Sequence, residues 1–334
     1  MLQAILANNI PNLNEAGFNY PRHSSFSRAS LGHATEGNGA LVMQGDFRFA
    51  RNTLLSSESL YVDSTRRSTL ISKMQASRLD FKVVMYVRDV FDHSTSFWNQ
   101  RVKGGEETLD LDEFLETKYG DQLEDVLWWL ENKDQLGIDL KVANYSNHSM
   151  NLAEHFLTDM LGVSDISKFD LTMDSRQINR SLTRSELEVQ RILNHTFPQN
   201  SARSFGVSLI NELPDMHYDK VLPSEQAFTK LVSRIGPLAG QINEHLDIGE
   251  QISLQYPKKA NNLETSSTTV FIFSRNQLEV LVSNFSRMDS PRAFYWQLVR
   301  RLSPSEFFST LRELEPGRLK FVILSILKGK WRKQ

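Results

Sequence analysis

Apolar residues recur at two different spacings along this chain, and the spacing separates predicted strands from predicted helices. The clearest strand is predicted at Phe81–Val87, whose centre is continuously apolar, as in a parallel strand covered on both faces. Directly after it, Phe91, Thr95, Trp98 and Val102 recur at helical spacing. Further helices are predicted at residues 1–9, 65–76, 112–118, 122–132, 151–161 and 183–193, and further strands at 53–56, 139–143 and 268–273.

This alternation of strands and helices predicts the fold class. Strands separated by helices favour crossover connections and a mostly parallel sheet with helices on its faces. We therefore expect an α/β fold of three layers, αβα, in residues 1–215. The periodic signal weakens after about residue 216, so residues 216–334 are expected to form a mostly helical C-terminal extension of unknown role.

Composition narrows the class of protein. Of the 334 residues 40% are hydrophobic and 23% charged, as in an ordinary globular protein, and 38 Lys and Arg balance 40 Asp and Glu. The balance argues against a nucleic-acid binder, which needs a basic excess. The absence of cysteine excludes disulfides and thiol catalysis. With no stretch of about 20 apolar residues and no signal-peptide pattern, we expect a soluble, cytoplasmic, bacterial protein.

Two residues after the central strand point to anion binding. The strand would deliver Arg88 to its carboxyl end, where open α/β sheets bind ligands, and Ser96 follows on the next helix. A guanidinium offers charge and forked donors, and a hydroxyl adds a directional hydrogen bond, so the two could hold one phosphate. Equally, Arg88 could pair with Asp89 or Asp92 while Ser96 faces solvent.

Residues 83–96 resemble a known motif. They are similar to the 3′-phosphate-binding segment of sulfotransferases, in which an Arg after a central strand and a Ser eight residues later hold the cofactor. Residues 8–21 resemble the stretch "N-R-x-x-L-x-x-x-G-x-x-Y-P" of bacterial carbohydrate-type sulfotransferase-like proteins. Residues 54–58 resemble their "L-L-S-S-E" strand end, and residues 179–183 their "N-x-S-L" before a helix. The likeness covers roughly residues 1–200, in the family's order.

The resemblance implies a sulfotransferase of the P-loop nucleotide-fold type. It would move a sulfonate from 3′-phosphoadenosine 5′-phosphosulfate (PAPS) to a hydroxyl of a carbohydrate or similar glycan, with Arg88 and Ser96 on the 3′-phosphate. The family's loop "G-x-x-K-T-G-S/T-T", which holds the 5′-phosphosulfate, precedes a helix beginning "L-Q". Here Leu2-Gln3 follows Met1 directly, and no such loop occurs in the sequence. We expect the natural first strand and loop to precede Met1.

Sulfonate transfer also needs a base for the acceptor hydroxyl. Glu58, at the end of a short predicted strand, is the first candidate, although it could simply be a solvated or helix-capping carboxylate. His33 is the second candidate and could equally be an ordinary loop histidine. No metal is assigned, because His148, His155 and His195 lack spacings such as H-E-x-x-H.

Two other classes of function stay open from the sequence. If the absence of the phosphate loop is genuine, the chain would be a catalytically inactive nucleotide-fold protein that serves as a binding or scaffold module. A nucleotide kinase or another phosphoryl-transfer enzyme of similar architecture would instead need Mg²⁺ and an acidic metal ligand at a strand end.

Overall fold

A computed structural model describes residues 2–21, 39, 41–42, 47–50, 52–57, 64–120, 122–172, 180–216, 221–257 and 273–286. Over these ranges the chain forms strands β1 (Phe81–Val87) and β2 (Ile138–Asn144) and helices α1 (Leu2–Asn8), α2 (Ile10–Glu15), α3 (Ser64–Ser77), α4 (Val90–Lys103), α5 (Leu111–Thr117), α6 (Gln122–Leu136), α7 (Tyr145–His148), α8 (Leu152–His155), α9 (Arg184–Thr196), α10 (Gln199–Glu212), α11 (Glu225–Glu244) and α12 (Arg275–Ser286). A π-helical segment, Phe156–Met160, follows α8, and a 3-10 turn, Ile248–Glu250, follows α11. None of these helices is both long and apolar enough to cross a bilayer.

The chain divides into two compact units, each made of separate segments. The first unit comprises Met1–His93, Lys118–Ile178 and Phe228–Tyr256. The second comprises Ser94–Thr117, Asn179–Ala227 and Pro257–Gln334. The expected division between residues 215 and 216 stays a prediction, since most of the expected extension lies outside the described residues.

The first unit contains a small parallel sheet. β1 and β2 pair along their full length, from Phe81 opposite Ile138 to Val87 opposite Asn144. The intervening helices make this a crossover connection, which confirms an architecture of helices with a small two-stranded parallel sheet in the described residues. In β1, Met85 and Val87 are buried and the earlier residues are half-buried or exposed. The sheet is therefore most enclosed at its carboxyl end.

One hydrophobic cluster joins this end of the sheet to the N-terminal helices. Because α1 and α2 carry apolar residues at helical spacing, one face of each is buried against the segment after α8. The buried members of the cluster are Leu6, Leu13, Tyr20, Ala143, Phe156, Leu157, Met160 and Val163. Burial of this apolar surface holds the start of the chain against β2 and the π-helical segment.

Several elements differ from the sequence prediction. The expected strand at 53–56 is reduced to a single parallel bridge between Thr53 and Asn19, in the segment after α2. Helix α10 was not predicted, and α11 lies in the region expected to be mostly helical, although its bounds were not predicted. In α11, Pro237 lies inside the helix and interrupts the usual signal. The strand expected at 268–273 lies almost entirely outside the described residues.

The second unit has a buried ion pair at the start of α9. Thr183 forms the predicted capping box with Glu186, whose backbone N–H donates to Thr183 Oγ1 at 3.3 Å while the Thr183 N–H donates to Glu186 Oε2 at 2.8 Å. Arg180 donates to both Glu186 oxygens, at 2.8 and 3.0 Å, and Gln277 Nε2 donates to Oε1 at 2.8 Å. The polar groups of this cluster are thus satisfied within the second unit.

Candidate functional site at the carboxyl ends of the two strands

A buried asparagine joins the carboxyl ends of β1 and β2. Asn144 Nδ2 donates to Asp89 Oδ1 at 2.8 Å and to the Gln251 carbonyl at 3.0 Å. Asp89 Oδ1 also accepts from the Ser253 N–H at 2.8 Å, and the Asp89 N–H donates to Ser146 Oγ at 3.2 Å. These bonds fix the backbone after both strands and hold residues 251–253 beside it.

Arg88 lies at the carboxyl end of β1, where the sequence predicted it. Its guanidinium carbon is 3.9 Å from the ring centroid of Tyr145, the first residue of α7. This is a cation–π contact, which fixes the plane of the guanidinium. The arginine is half-buried, so the strand end carries a positively charged and oriented side chain.

His93, on the first turn of α4, is held neutral beside Arg88. Its Nδ1 lies 2.6 Å from the hydroxyl of the buried Tyr119. Burial, and secondly the charge of Arg88, lower the pKa of His93 to about 4. At neutral pH the imidazole is therefore uncharged and adds no positive charge beside Arg88.

Of the other residues predicted for the site, the structure describes Ser96 but neither of the two candidate bases. Ser96 lies on α4, as predicted, and is half-buried; it belongs to the second unit, whereas Arg88 belongs to the first. Their joint contact with one phosphate stays a prediction. Glu58 and His33, the candidate bases, lie outside the described residues.

A second group of polar side chains lies at the same end of the sheet. His148, the last residue of α7, and His155, the last residue of α8, stack with ring centroids 3.6 Å apart and planes 10° from parallel. His148 Nε2 is 2.8 Å from Glu250 Oε1. One ring nitrogen of each histidine and one oxygen of Glu250 lie within 4.8 Å of one another, so the three residues can act as ligands together.

Neighbouring groups orient these three side chains. The hydroxyl of Tyr86, on β1, lies 2.8 Å from His155 Nδ1, and the Asn144 N–H donates to Glu250 Oε2 at 2.6 Å. Burial, and secondly the nearby charge of Glu250, raise the pKa of Tyr86, so its hydroxyl stays protonated. Burial and then His148 lower the pKa of His155, with Asp159 and Glu250 acting in the opposite direction. His155 is therefore neutral near pH 7.

No sequence pattern indicated this cluster. The two histidines are seven positions apart, and a turn at Ser149–Asn151 separates their helices, so they do not show the i, i+4 spacing of two ligands on one helix. Glu250 follows more than ninety positions later, in a turn that no periodicity marks. Only the fold brings the three residues together.

Comparison of the chain with protein-family models, with curated proteins and with solved structures gives no match. The similarity to sulfotransferases therefore depends on the quoted motifs, and the function has to be argued from the residues at the strand ends.

Proposed function

We propose that this chain belongs to a PAPS-dependent sulfotransferase and that Arg88 binds the 3′-phosphate of the cofactor. The observation that carries the proposal is the position of Arg88, immediately after a parallel strand and stacked on Tyr145 at the same end of the sheet. Ligands of α/β sheets bind at this end, because the loops after the strands diverge there.

Stacking on Tyr145 is compatible with phosphate binding. The cation–π contact uses the face of the guanidinium, whereas phosphate recognition uses the N–H groups at its edge. A fixed guanidinium plane loses less conformational entropy when it forms two parallel hydrogen bonds. His93 is neutral at pH 7 and therefore contributes no charge to the proposed contact.

The remaining parts of the proposal come from the sequence motif. Ser96 is the proposed second ligand of the 3′-phosphate, and Glu58 or His33 the proposed base that accepts the proton of the acceptor hydroxyl. The acceptor is a carbohydrate or similar glycan, and the complete fold is the three-layer αβα arrangement of P-loop proteins. A loop that holds the 5′-phosphosulfate would complete the cofactor site.

A second candidate function is a nucleotide-binding or scaffold protein without transferase activity. It needs only the contact of Arg88 with the nucleotide and no group that stabilises a transferring sulfonate. Both candidates predict binding of adenosine 3′,5′-bisphosphate through Arg88, and they differ only in sulfonate transfer.

Calorimetric titration with adenosine 3′,5′-bisphosphate tests the nucleotide binding that both candidate functions predict. We expect micromolar binding by the wild-type chain and a loss of about 1.5–3 kcal/mol in Arg88→Ala, the range for hydrogen bonds to charged groups. Arg88→Lys should recover part of the affinity, since it keeps the charge and loses the forked donors. Arg275→Ala, whose side chain is 60% exposed, is the matched control and should bind as the wild type does.

The outcomes separate the alternatives. Equal affinities for wild type and Arg88→Ala would contradict the nucleotide site. Binding that depends on Arg88, together with transfer of labelled sulfonate from PAPS to a glycan, would support the sulfotransferase. If a chain extended upstream through a G-x-x-K-T-G loop binds the nucleotide and transfers nothing, the scaffold function is favoured.

A further inference from the structure

The cluster formed by His148, His155 and Glu250 plays no part in the proposed nucleotide contact. We propose that these three residues bind a divalent transition metal ion, with zinc as the preferred ion. Two imidazoles and one carboxylate are a donor set that zinc uses in proteins, and Mg²⁺ and Ca²⁺, which prefer oxygen ligands, fit it less well.

Binding one ion requires side-chain rotation, because the lone pairs of two parallel imidazoles 3.6 Å apart lie in separate planes. Zinc bonds of about 2.0–2.2 Å to nitrogen and oxygen place tetrahedral ligand atoms roughly 3.3 Å apart. Here the three ligand atoms lie within 4.8 Å of one another, and the closest pair, His148 Nε2 and Glu250 Oε1, is at 2.8 Å. The closest pair would separate slightly, the widest would close, and at least one imidazole would turn out of the stack about its side-chain torsions.

The surroundings of His155 fit those of a metal ligand. Histidine ligands usually use one ring nitrogen for the metal and donate a hydrogen bond from the other. Nδ1 of His155 lies 2.8 Å from the Tyr86 hydroxyl, so we assign Nε2 to the metal. Asp159 Oδ2 lies 3.9 Å from this Nε2 and adds negative charge beside the position of a cation.

Hydrogen bonds also hold Glu250 in a position suitable for a metal ligand. The Asn144 N–H holds Oε2, which leaves Oε1 on the side of His148. Asn147 Nδ2 donates to the Gly249 carbonyl at 2.7 Å, so the turn that carries Glu250 is bound to α7, which carries His148. Two of the three ligands are therefore connected through short, hydrogen-bonded segments.

The solvent exposure of the ligands and their number indicate which kind of metal site this would be. The side chains of His148 and Glu250 are 19% and 22% exposed, so an ion can reach them from solvent. Three protein ligands leave one position of a tetrahedral site for water, as in catalytic rather than structural zinc sites. The inferred site is thus an open one.

A metal-free explanation makes the opposite prediction. His148 would then only contact Glu250 and stack on His155, without any ion. That arrangement would bind no transition metal at this position, so metal titration separates the two explanations directly.

The experiment is a titration of the untagged chain, first treated with EDTA, with Co²⁺ and then Zn²⁺ and without nucleotide. We expect one equivalent of Co²⁺ to produce the visible absorption of a site with nitrogen and oxygen ligands, and Zn²⁺ to displace it. X-ray absorption at the zinc edge should show two imidazole ligands. Because no nucleotide is present, failure here is distinguishable from failure of the proposed function.

Substitutions test whether the metal binds to these three residues. His148→Gln and Glu250→Gln should weaken Co²⁺ binding by more than the roughly 10- to 100-fold typical for loss of a ligand's hydrogen-bond partner. Tyr86→Phe, which removes such a partner, should weaken it about 10-fold. The exposed histidines provide controls, and His195→Gln and His245→Gln should bind as the wild type does.

Two results would overturn the proposal. One is a wild-type chain that shows no Co²⁺ absorption and takes up no stoichiometric Zn²⁺, which requires no variant to fold. The other is unchanged metal affinity in both His148→Gln and Glu250→Gln, which would place any bound ion elsewhere in the chain.

Discussion

Two regions of this molecule gather charged side chains, and they do so in opposite ways. In the second unit, Arg180 and Glu186 form a bidentate ion pair whose side chains are 4% and 0% exposed. At the strand ends of the first unit, His148 and Glu250 meet with about a fifth of each side chain exposed. Both regions are polar, yet of the two only the strand-end cluster of the first unit is accessible to a small ion.

The partners of each region explain the difference. Besides Glu186, Arg180 donates to the carbonyls of Ser181, Leu209 and Leu213, and Glu186 accepts from Thr183 and Gln277 as well. A buried ion pair of this kind is tolerated because additional hydrogen bonds satisfy both ions. Its polar groups are directed at one another, which suits a structural role.

The strand-end cluster is only partly satisfied from within, by the contact of His148 Nε2 with Glu250 Oε1 at 2.8 Å. Two stacked imidazoles and a carboxylate bring possible metal ligands together, and Tyr86 and Asn144 form hydrogen bonds with them from outside the cluster. Imidazole and carboxylate groups that lie close together are possible ligands of a transition metal, whereas the donors and acceptors around Arg180 and Glu186 are directed at one another. The arrangement of partners, rather than the number of charges, therefore distinguishes a candidate binding site from a structural cluster.

The largest effect is expected from Glu186→Gln. Removing this charge leaves Arg180 buried without a counter-ion, so the free energy of unfolding should fall by about 3–5 kcal/mol. Glu188→Gln on the same helix is the matched control: Glu188 pairs with Arg191 at 2.8 Å with side chains 24% and 16% exposed. It should cost less than about 1 kcal/mol. Urea denaturation followed by circular dichroism measures both, and equal losses would contradict the structural role.

A smaller effect concerns pH and His93. Its folded pKa of about 4 lies below the ordinary value of 6.5, so the unfolded chain binds the proton more readily between these values. Stability should therefore rise with pH through this window, by at most on the order of 3 kcal/mol for this group. The difference in unfolding free energy between wild type and His93→Gln should change over pH 4–6.5 by that amount.

The control for this pH effect is His195→Gln, which removes an exposed histidine. Its difference from the wild type should stay constant over the same pH window. A constant difference for His93→Gln as well would mean that burial does not hold His93 neutral in the folded protein.

The smallest effect on stability is expected from Glu250→Gln. In the absence of metal, a partly exposed pair such as His148–Glu250 contributes less than about 1 kcal/mol. The same substitution should abolish the rise in melting temperature that zinc gives the wild type. A loss as large as that of Glu186→Gln would remove the distinction between the two regions and favour a structural role for the strand-end cluster.

Much of the local structure could be predicted from the sequence. The apolar run at residues 81–87 and the helical spacing after it correctly predicted β1 and α4, and the capping box correctly predicted the start of α9. The helices predicted at 65–76 and 122–132 are observed as α3 and α6, and the predicted ends lie within a few residues of the observed ends. These signals are local, since they depend on period and on hydrogen bonds between residues three or four apart.

The strand at 53–56 was predicted wrongly and the bounds of α11 were not predicted, because local signals conflict at both places. Thr53 has strand-like neighbours, yet a strand needs an extended partner, and Asn19 offers only one bridge. Helix α11 contains a proline that local rules treat as a break, although the buried Leu231, Ile235 and Ala239 secure the helix by packing. Packing that involves distant segments decides such cases.

By itself, the sequence determined the alternation of helices and strands and the place of Arg88 at the end of β1, because both follow from the order of residues along the chain. Only the tertiary structure decided which polar residues meet at that end. His148, His155 and Glu250 come from three separate segments, and the parallel pairing of β1 with β2 brings Tyr86 and Asn144 beside them. Contacts between residues so far apart in sequence depend on how the chain folds back on itself, which no local spacing records.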